Sequence, residues 1–267
     1  MTVAYLVFSH QYPDQVRRLL RTLRAGSPDA RLLSHHQGPL DVAGVETVPS
    51  GPVSWGGASQ LAMLLRGMHH ALRGEFDWLV LLSGQDYPLR PLSLIEADLA
   101  ASGFDAFIET APVEPQDEFA LRYLYRYRRV RPLLARVARP LLPVRVLPSG
   151  VYVGRRAKPP LPVRRGSDWL TLSRRAAQAV VGADARVVDH FRRTILPTEA
   201  LPHSVLHASS LRLSGDTRRY TRWDAGAAHP HLLGVEDLDA MLASGMDFAR
   251  KFAPGAPVLD ELDRVVL

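Results

Sequence analysis

The sequence predicts an α/β fold, a mostly parallel central sheet flanked by helices. Two observations carry that expectation. Residues 3–8 and 78–82 are short apolar runs with the length and composition of buried strands. Between and after them, apolar residues recur at helical spacing. This strand–helix–strand order needs crossover connections and parallel pairing.

In chain order, Val3-Ala4-Tyr5-Leu6-Val7-Phe8 is the first strand. A helix over 14–24 carries Val16, Leu19, Leu20 and Leu23 on one face and ends at Gly26. Strands at 30–34 and 45–48 follow. Leu61, Leu64, Leu65, Met68 and Leu72 define an amphipathic helix over 61–72, and Trp78-Leu79-Val80-Leu81-Leu82 is the most strand-like run of all. A helix at 92–99 and a strand at 106–108 complete the first half. Later, 169–172 reads as extended, and 174–181, 187–193 and 235–242 as helical. No internal repeat or low-complexity linker divides the chain, so the expectation is a single domain over 1–267.

Composition narrows the function classes. The 267 residues are 46% hydrophobic and 22% charged, which suits a globular core and excludes a disordered or fibrous chain. Cysteine is absent, which excludes disulfides, thiolate metal sites and a cysteine nucleophile. The apolar runs fall far below the roughly 18 residues of a membrane span. The first residues lack the basic-then-apolar pattern of a signal peptide. A cytoplasmic protein is expected, peripheral at most on the inner membrane face.

The net charge of +6 is unevenly placed. Residues 122–165 hold 12 Arg, one Lys and no acidic residue, whereas the remainder holds 20 basic and 27 acidic residues. This Pro/Arg-rich tract reads as a basic insertion, with a short amphipathic helix at 133–139. It admits three readings: a solvated surface, attraction to an anionic membrane, or nucleic-acid binding through aromatic–Arg interleaving at 123–130. No nucleic-acid motif accompanies it, which makes the third the weakest. Only two lysines exist, Lys158 and Lys251.

Four segments carry chemistry. Ser83-Gly84-Gln85-Asp86 falls where the central strand ends, at the ligand-binding edge of such sheets; the alternative is a plain turn with Asp86 as a local cap. Trp55-Gly56-Gly57-Ala58-Ser59 opens the helix at 61, as a hydroxyl or anion cradle or as an ordinary capped turn. Glu199, among prolines and apolar residues, is placed for a desolvated general base, or simply starts a helix. Arg250-Lys251, between Phe248 and Phe252, suits a diphosphate, or is a solvent-facing pair. The ten His show no zinc spacing, and Asp237-Leu238-Asp239, although of DxD form, lies in a helical pattern, so no metal is expected.

In order, Trp55-Gly56-Gly57-Ala58-Ser59, Leu82 to Arg90, Gly166-Ser167-Asp168-Trp169, Leu196-Pro197-Thr198-Glu199, His203-Ser204-Val205-Leu206, Arg222-Trp223 and Phe248 to Phe252 resemble the core-2/I-branching β-1,6-N-acetylglucosaminyltransferases. They are most similar to the family's peptide O-xylosyltransferases. The resemblance implies a GT-A-like nucleotide-sugar-binding fold and an inverting, metal-independent transfer of xylose or N-acetylglucosamine from a UDP-sugar. It implies Glu199 as catalytic base, Arg250 and Lys251 on the diphosphate, and Trp55, Gly56, Ser83, Asp86, Trp169 and His10 about the donor and acceptor. No cofactor beyond the donor is expected. The acceptor would be a glycan, a lipid-linked sugar or a peptide, with peripheral contact to an anionic membrane and without nucleic acid. Relatives often carry Asp after the second strand, where this chain reads Ser34-His35-His36-Gln37, and the 122–165 tract has no counterpart among the matching motifs. The rival expectation is a non-catalytic protein that binds anionic membrane or nucleic acid through that tract.

Overall fold

The computed structural model describes residues 1–49, 51–227 and 229–267. Strands β1 (Val3–Ser9), β2 (Arg31–His36), β3 (Val45–Thr47) and β4 (Trp78–Ser83) pair in parallel, with β1 between β2 and β4. Beyond β4 the sheet continues antiparallel through Thr171–Ser173 to the edge strand Ala106–Phe107. The fold is α/β with a mostly parallel centre, as the alternating pattern predicts.

β1 and β4 are buried on both faces, and their period-two alternation divides the core in two. Ala4, Leu6 and Phe8 with Leu79 and Leu81 meet helix α2 (Ala58–Leu72) and the helices Arg174–Val181 and Leu201–His207. Val3, Tyr5 and Val7 with Trp78, Val80 and Leu82 meet α1 (Pro13–Gly26), α3 (Leu92–Ala101) and the C-terminal helix Val258–Val266. Each fully buried Leu or Val contributes ~1.5–3 kcal/mol.

Helix α2 begins at Ala58, three residues before its apolar pattern. Its first turn is held by polar groups instead. Gln60 Oε1 accepts from the Gly56 amide at 2.7 Å, and Ser59 Oγ accepts from the Ser54 amide at 2.9 Å.

A smaller sheet places Phe248–Arg250 between Arg219–Thr221 and Asp86–Pro88. Its antiparallel register sets Arg250 opposite Asp86, which joins two segments 164 residues apart.

The basic tract folds as a three-stranded antiparallel sheet, with Gly150–Arg156 between Tyr125–Val130 and Val144–Leu147, and with the helix Pro132–Ala138 alongside. The helix falls within one residue of its predicted position. The strands escape sequence detection because Tyr125–Val130 alternates Tyr with Arg rather than apolar with polar, and the other two are too short or too irregular in pattern to stand out. Its ends are not a surface appendage: Tyr123, Leu124 and Val163 belong to the main core. Among the described residues no helix is long and apolar enough to cross a membrane.

Candidate active site

The carboxyl ends of β1 and β4 open onto the site. After β4 the chain turns through Ser83-Gly84-Gln85, and Asp86 folds back to accept from the Ser83 amide (2.9 Å) and hydroxyl (2.5 Å). Asp86 is therefore a local cap, as the plain-turn alternative holds, but it also accepts from Arg250 Nε at 3.1 Å. That leaves the outer guanidinium nitrogens of Arg250 unspent on Asp86. The same guanidinium lies 4.9 Å from the centre of the Trp169 ring, within cation–π range. Next in the chain, Lys251 is half-buried, with its pKa lowered by burial and then by repulsion from Arg250. Among the described residues it has no ion-pair partner. Two adjacent cations with one carboxylate between them favour an arriving anion.

Glu199 ends the 3₁₀ turn Pro197–Glu199. Leu196 enters that turn at φ 52°, and its amide donates to the Gly56 carbonyl at 2.9 Å. The Trp55-Gly56 turn is thereby fastened to the segment that carries Glu199. The Tyr123 hydroxyl donates to Glu199 Oε2 at 2.9 Å, and Arg122 Nη1 lies 3.8 Å from the same oxygen.

Despite these partners the Glu199 pKa is pushed up to about 7, by burial first and then by the charge of Asp168. Tyr123, Arg122 and Arg165 oppose the shift without overcoming it. Asp168 is also raised by burial. The Thr198 hydroxyl, short of hydrogen-bond geometry, and Arg250 pull it back down. Asp168 Oδ1 is sealed from solvent and has no hydrogen-bond partner among the described residues. Two carboxyl groups thus share one desolvated corner and compete for charge.

The loop holding Asp168 and Trp169 is set by Gly166. Its amide donates to the Glu199 carbonyl at 2.9 Å. A Cβ on Gly166 would fall 2.3 Å from the Glu109 carbonyl oxygen and 2.4 Å from His203 Cε1. His203 is fully buried, shares a 2.8 Å hydrogen bond from Nε2 to the Ser167 carbonyl, and is driven down to about 4 by burial. It is a neutral strut under the loop, with Nε2–H as donor.

Glu199, Trp169, Arg250, Asp86 and Ser83 are thus linked by contact or by charge, with Asp168 as the joint. Gly56 joins through backbone. Trp55 is 55% exposed at the rim. His10 is exposed just past the end of β1, beside His36 rather than Glu199. Sequence reasoning missed Tyr123, Arg122 and Arg165 because they lie in the tract set aside as an insertion. It quoted Asp168 only as part of a motif, and the desolvation that makes Asp168 matter is a tertiary property.

The DxD pattern does not converge: Asp237 is buried and Asp239 exposed. His231, Glu236 and Asp237 do come within ligand-sharing distance. The Arg222 guanidinium, however, already pairs with Asp237 and contacts His231 Nε2 at 2.5 Å, so an arginine occupies the place of a cation.

A mostly parallel sheet with cations at its carboxyl edge and a partly buried acid pair beside them defines an α/β protein with an anion-attracting site at the sheet edge. The chain belongs to the family described as Core-2/I-Branching enzyme, which matches residues 4–247. Among curated proteins it is 27% identical over 237 residues to Beta-glucuronosyltransferase GlcAT14B of Arabidopsis thaliana, covering 80% of this chain and 50% of that one. It is 28% identical over 180 residues to Xylosyltransferase 2 of Bos taurus, covering 64% of this chain and 19% of that one. These relatives are named as glycosyltransferases, and the chain spans half of their length or less. Among solved structures, 2-C-methyl-D-erythritol 4-phosphate cytidylyltransferase from Thermus thermophilus aligns at TM-score 0.35 and 15% identity, covering 92% of this chain and 99% of that one. At that score the likeness carries no argument.

Proposed function

We propose that this chain is an inverting, metal-independent glycosyltransferase that moves xylose or N-acetylglucosamine from a UDP-sugar to an acceptor hydroxyl. The carrying observation is Glu199, a carboxyl group with its pKa pushed up to about 7 and coupled through Asp168 to Arg250. A general base works best with a pKa near the working pH. Glu199 takes the proton of the acceptor hydroxyl as its oxygen attacks C1 of the sugar in line. The bond from C1 to the diphosphate oxygen breaks, and UDP departs with the electron pair. Arg250 and Lys251 balance the charge that develops on it, and binding holds the reactants in attack geometry. Support for metal independence comes from carboxylates already engaged by arginines, Asp86 by Arg250 and Asp237 by Arg222.

The test is a panel of UDP-xylose, UDP-N-acetylglucosamine and UDP-glucuronic acid, read by thermal shift and slow donor hydrolysis with and without EDTA. One donor is expected to stabilise the protein and to be hydrolysed equally in both conditions. Lys251→Ala is expected to weaken UDP binding about tenfold to a hundredfold, the range of a lost charge-assisted hydrogen bond. Activity that EDTA abolishes would contradict metal independence, and silence across the panel would contradict the donor class.

A further inference from the structure

Five of the seven most exposed large apolar side chains among the described residues lie in one tract. Leu133, Leu134, Val137, Leu141 and Val146 are 58–86% exposed, all within the basic tract. On the helix Pro132–Ala138 and the turn after it, Leu133, Leu134, Val137 and Leu141 follow a helical stripe, while Ala135 is 5% exposed and faces the protein. Clustered exposed aliphatic side chains mark an interaction surface rather than ordinary scatter. In the same tract Arg128, Arg129, Arg131, Arg136 and Arg139 are exposed, and none is ion-paired among the described residues. No acidic residue occurs anywhere from 122 to 165.

We infer that this face docks onto an anionic lipid bilayer, its leucines and valines entering the headgroup boundary and its arginines meeting the lipid phosphates. The chemistry selects this occupant over others. A nucleic-acid groove needs free aromatic platforms, but Tyr123 is 0% and Tyr127 5% exposed, the half-buried Tyr125 and Tyr152 pack against the cluster of Tyr127, Leu147, Ile195 and Leu196, and the Tyr127 hydroxyl is spent on the Leu121 carbonyl at 2.6 Å. A second copy docking by the same face would set one strongly positive tract against another. An anionic membrane offers both a negative surface and an apolar interior, and an amphipathic basic helix uses both.

The docking face is rooted in the site. Tyr123 and Arg122, at the start of the tract, hold Glu199, and a Cβ at Gly56 would lie 3.3 Å from Leu147. The corollary, which alone rests on the glycosyltransferase reading, is that the acceptor is presented at the membrane surface.

The test is co-sedimentation of the full chain at 0.15 M salt with vesicles of phosphatidylglycerol and phosphatidylcholine, against phosphatidylcholine alone. The wild type is expected to pellet with the mixed vesicles and to stay in solution with the neutral ones. The double variant Leu133→Ser/Val137→Ser, at exposed positions, is expected to bind tenfold more weakly or worse with unchanged Tm. Arg136→Gln and Arg139→Gln are each expected to weaken binding about fivefold. Leu133→Trp is expected to blue-shift on adding mixed vesicles, as an inserted ring does. Absence of binding to mixed vesicles, equal binding to neutral ones, or binding indifferent to the serine variant overturns the inference. So does preferential capture of a single-stranded RNA oligomer, or self-association abolished by the serine variant. UDP binding measured alongside separates the two readings: vesicle binding lost with UDP binding intact removes only the docking, and the reverse removes only the transferase.

Discussion

Glu199 and Asp168 are the pair on which the proposed chemistry turns, because the charge of Asp168 adds to burial in making Glu199 harder to ionise. An isolated carboxyl group would be fully charged at pH 7 and a weak base. Burial and the Asp168 charge bring Glu199 to about 7, while the Tyr123 hydroxyl keeps the charged form from being costlier still. The acid limb of kcat/KM against pH is therefore expected near 7, rising as Glu199 loses its proton. Asp168→Asn removes the second charge and is expected to move that limb downward; Tyr123→Phe removes a donor to the carboxylate and is expected to move it upward. A limb unmoved by both substitutions would assign the titration to another group. Local composition around Glu199 already pointed to desolvation, but the second carboxyl group and the tyrosine come from remote segments that no local reading can bring together.

Among the elements, the loop of Gly166 to Trp169 does the most positioning with the least regular structure. It is clamped from below by His203, tied by one amide to the Glu199 backbone, and finished by Trp169 against Arg250. A side chain at Gly166 has no room that a small shift supplies, since one of its nearest neighbours is backbone. Gly166→Ala is expected to lower kcat by tenfold or more, because misplacement of reacting groups by about 1 Å costs on the order of a hundredfold. Far-ultraviolet circular dichroism should be unchanged, which separates this effect from loss of the fold. Periodicity found the helices and the parallel strands because their apolar spacing is intrinsic to each segment. It missed the antiparallel strands of the basic tract and the small sheet that joins Asp86 to Arg250, where partners set by tertiary contact decide the structure.

For the whole molecule, the site and the stability of the fold pull in opposite directions with pH. Glu199 has a folded pKa above its ordinary value, so its contribution to stability is complete below about 4.5 and is lost as pH rises through 7. His203 has a folded pKa of about 4, below its ordinary 6.5, so its contribution is complete above 6.5 and is lost as pH falls toward 4. Between them they place the stability maximum in the mildly acidic range, as far as these two groups decide it. Glu199→Gln is expected to raise Tm at pH 8 by a few degrees, from about 1–2 kcal/mol of relieved charge burial, and to change it little at pH 5. A Tm difference independent of pH would remove charge burial as its cause.

The most direct test of the central claim uses the same substitution. Sugar transfer from the donor that the panel identifies is measured for the wild type and for Glu199→Gln, with the affinity for UDP measured beside it. A general base is worth about a hundredfold to ten-thousandfold in rate. The account predicts that transfer falls by at least a hundredfold while UDP binds as before, because it assigns the diphosphate to Arg250 and Lys251 and not to Glu199. Transfer that survives the substitution would contradict it.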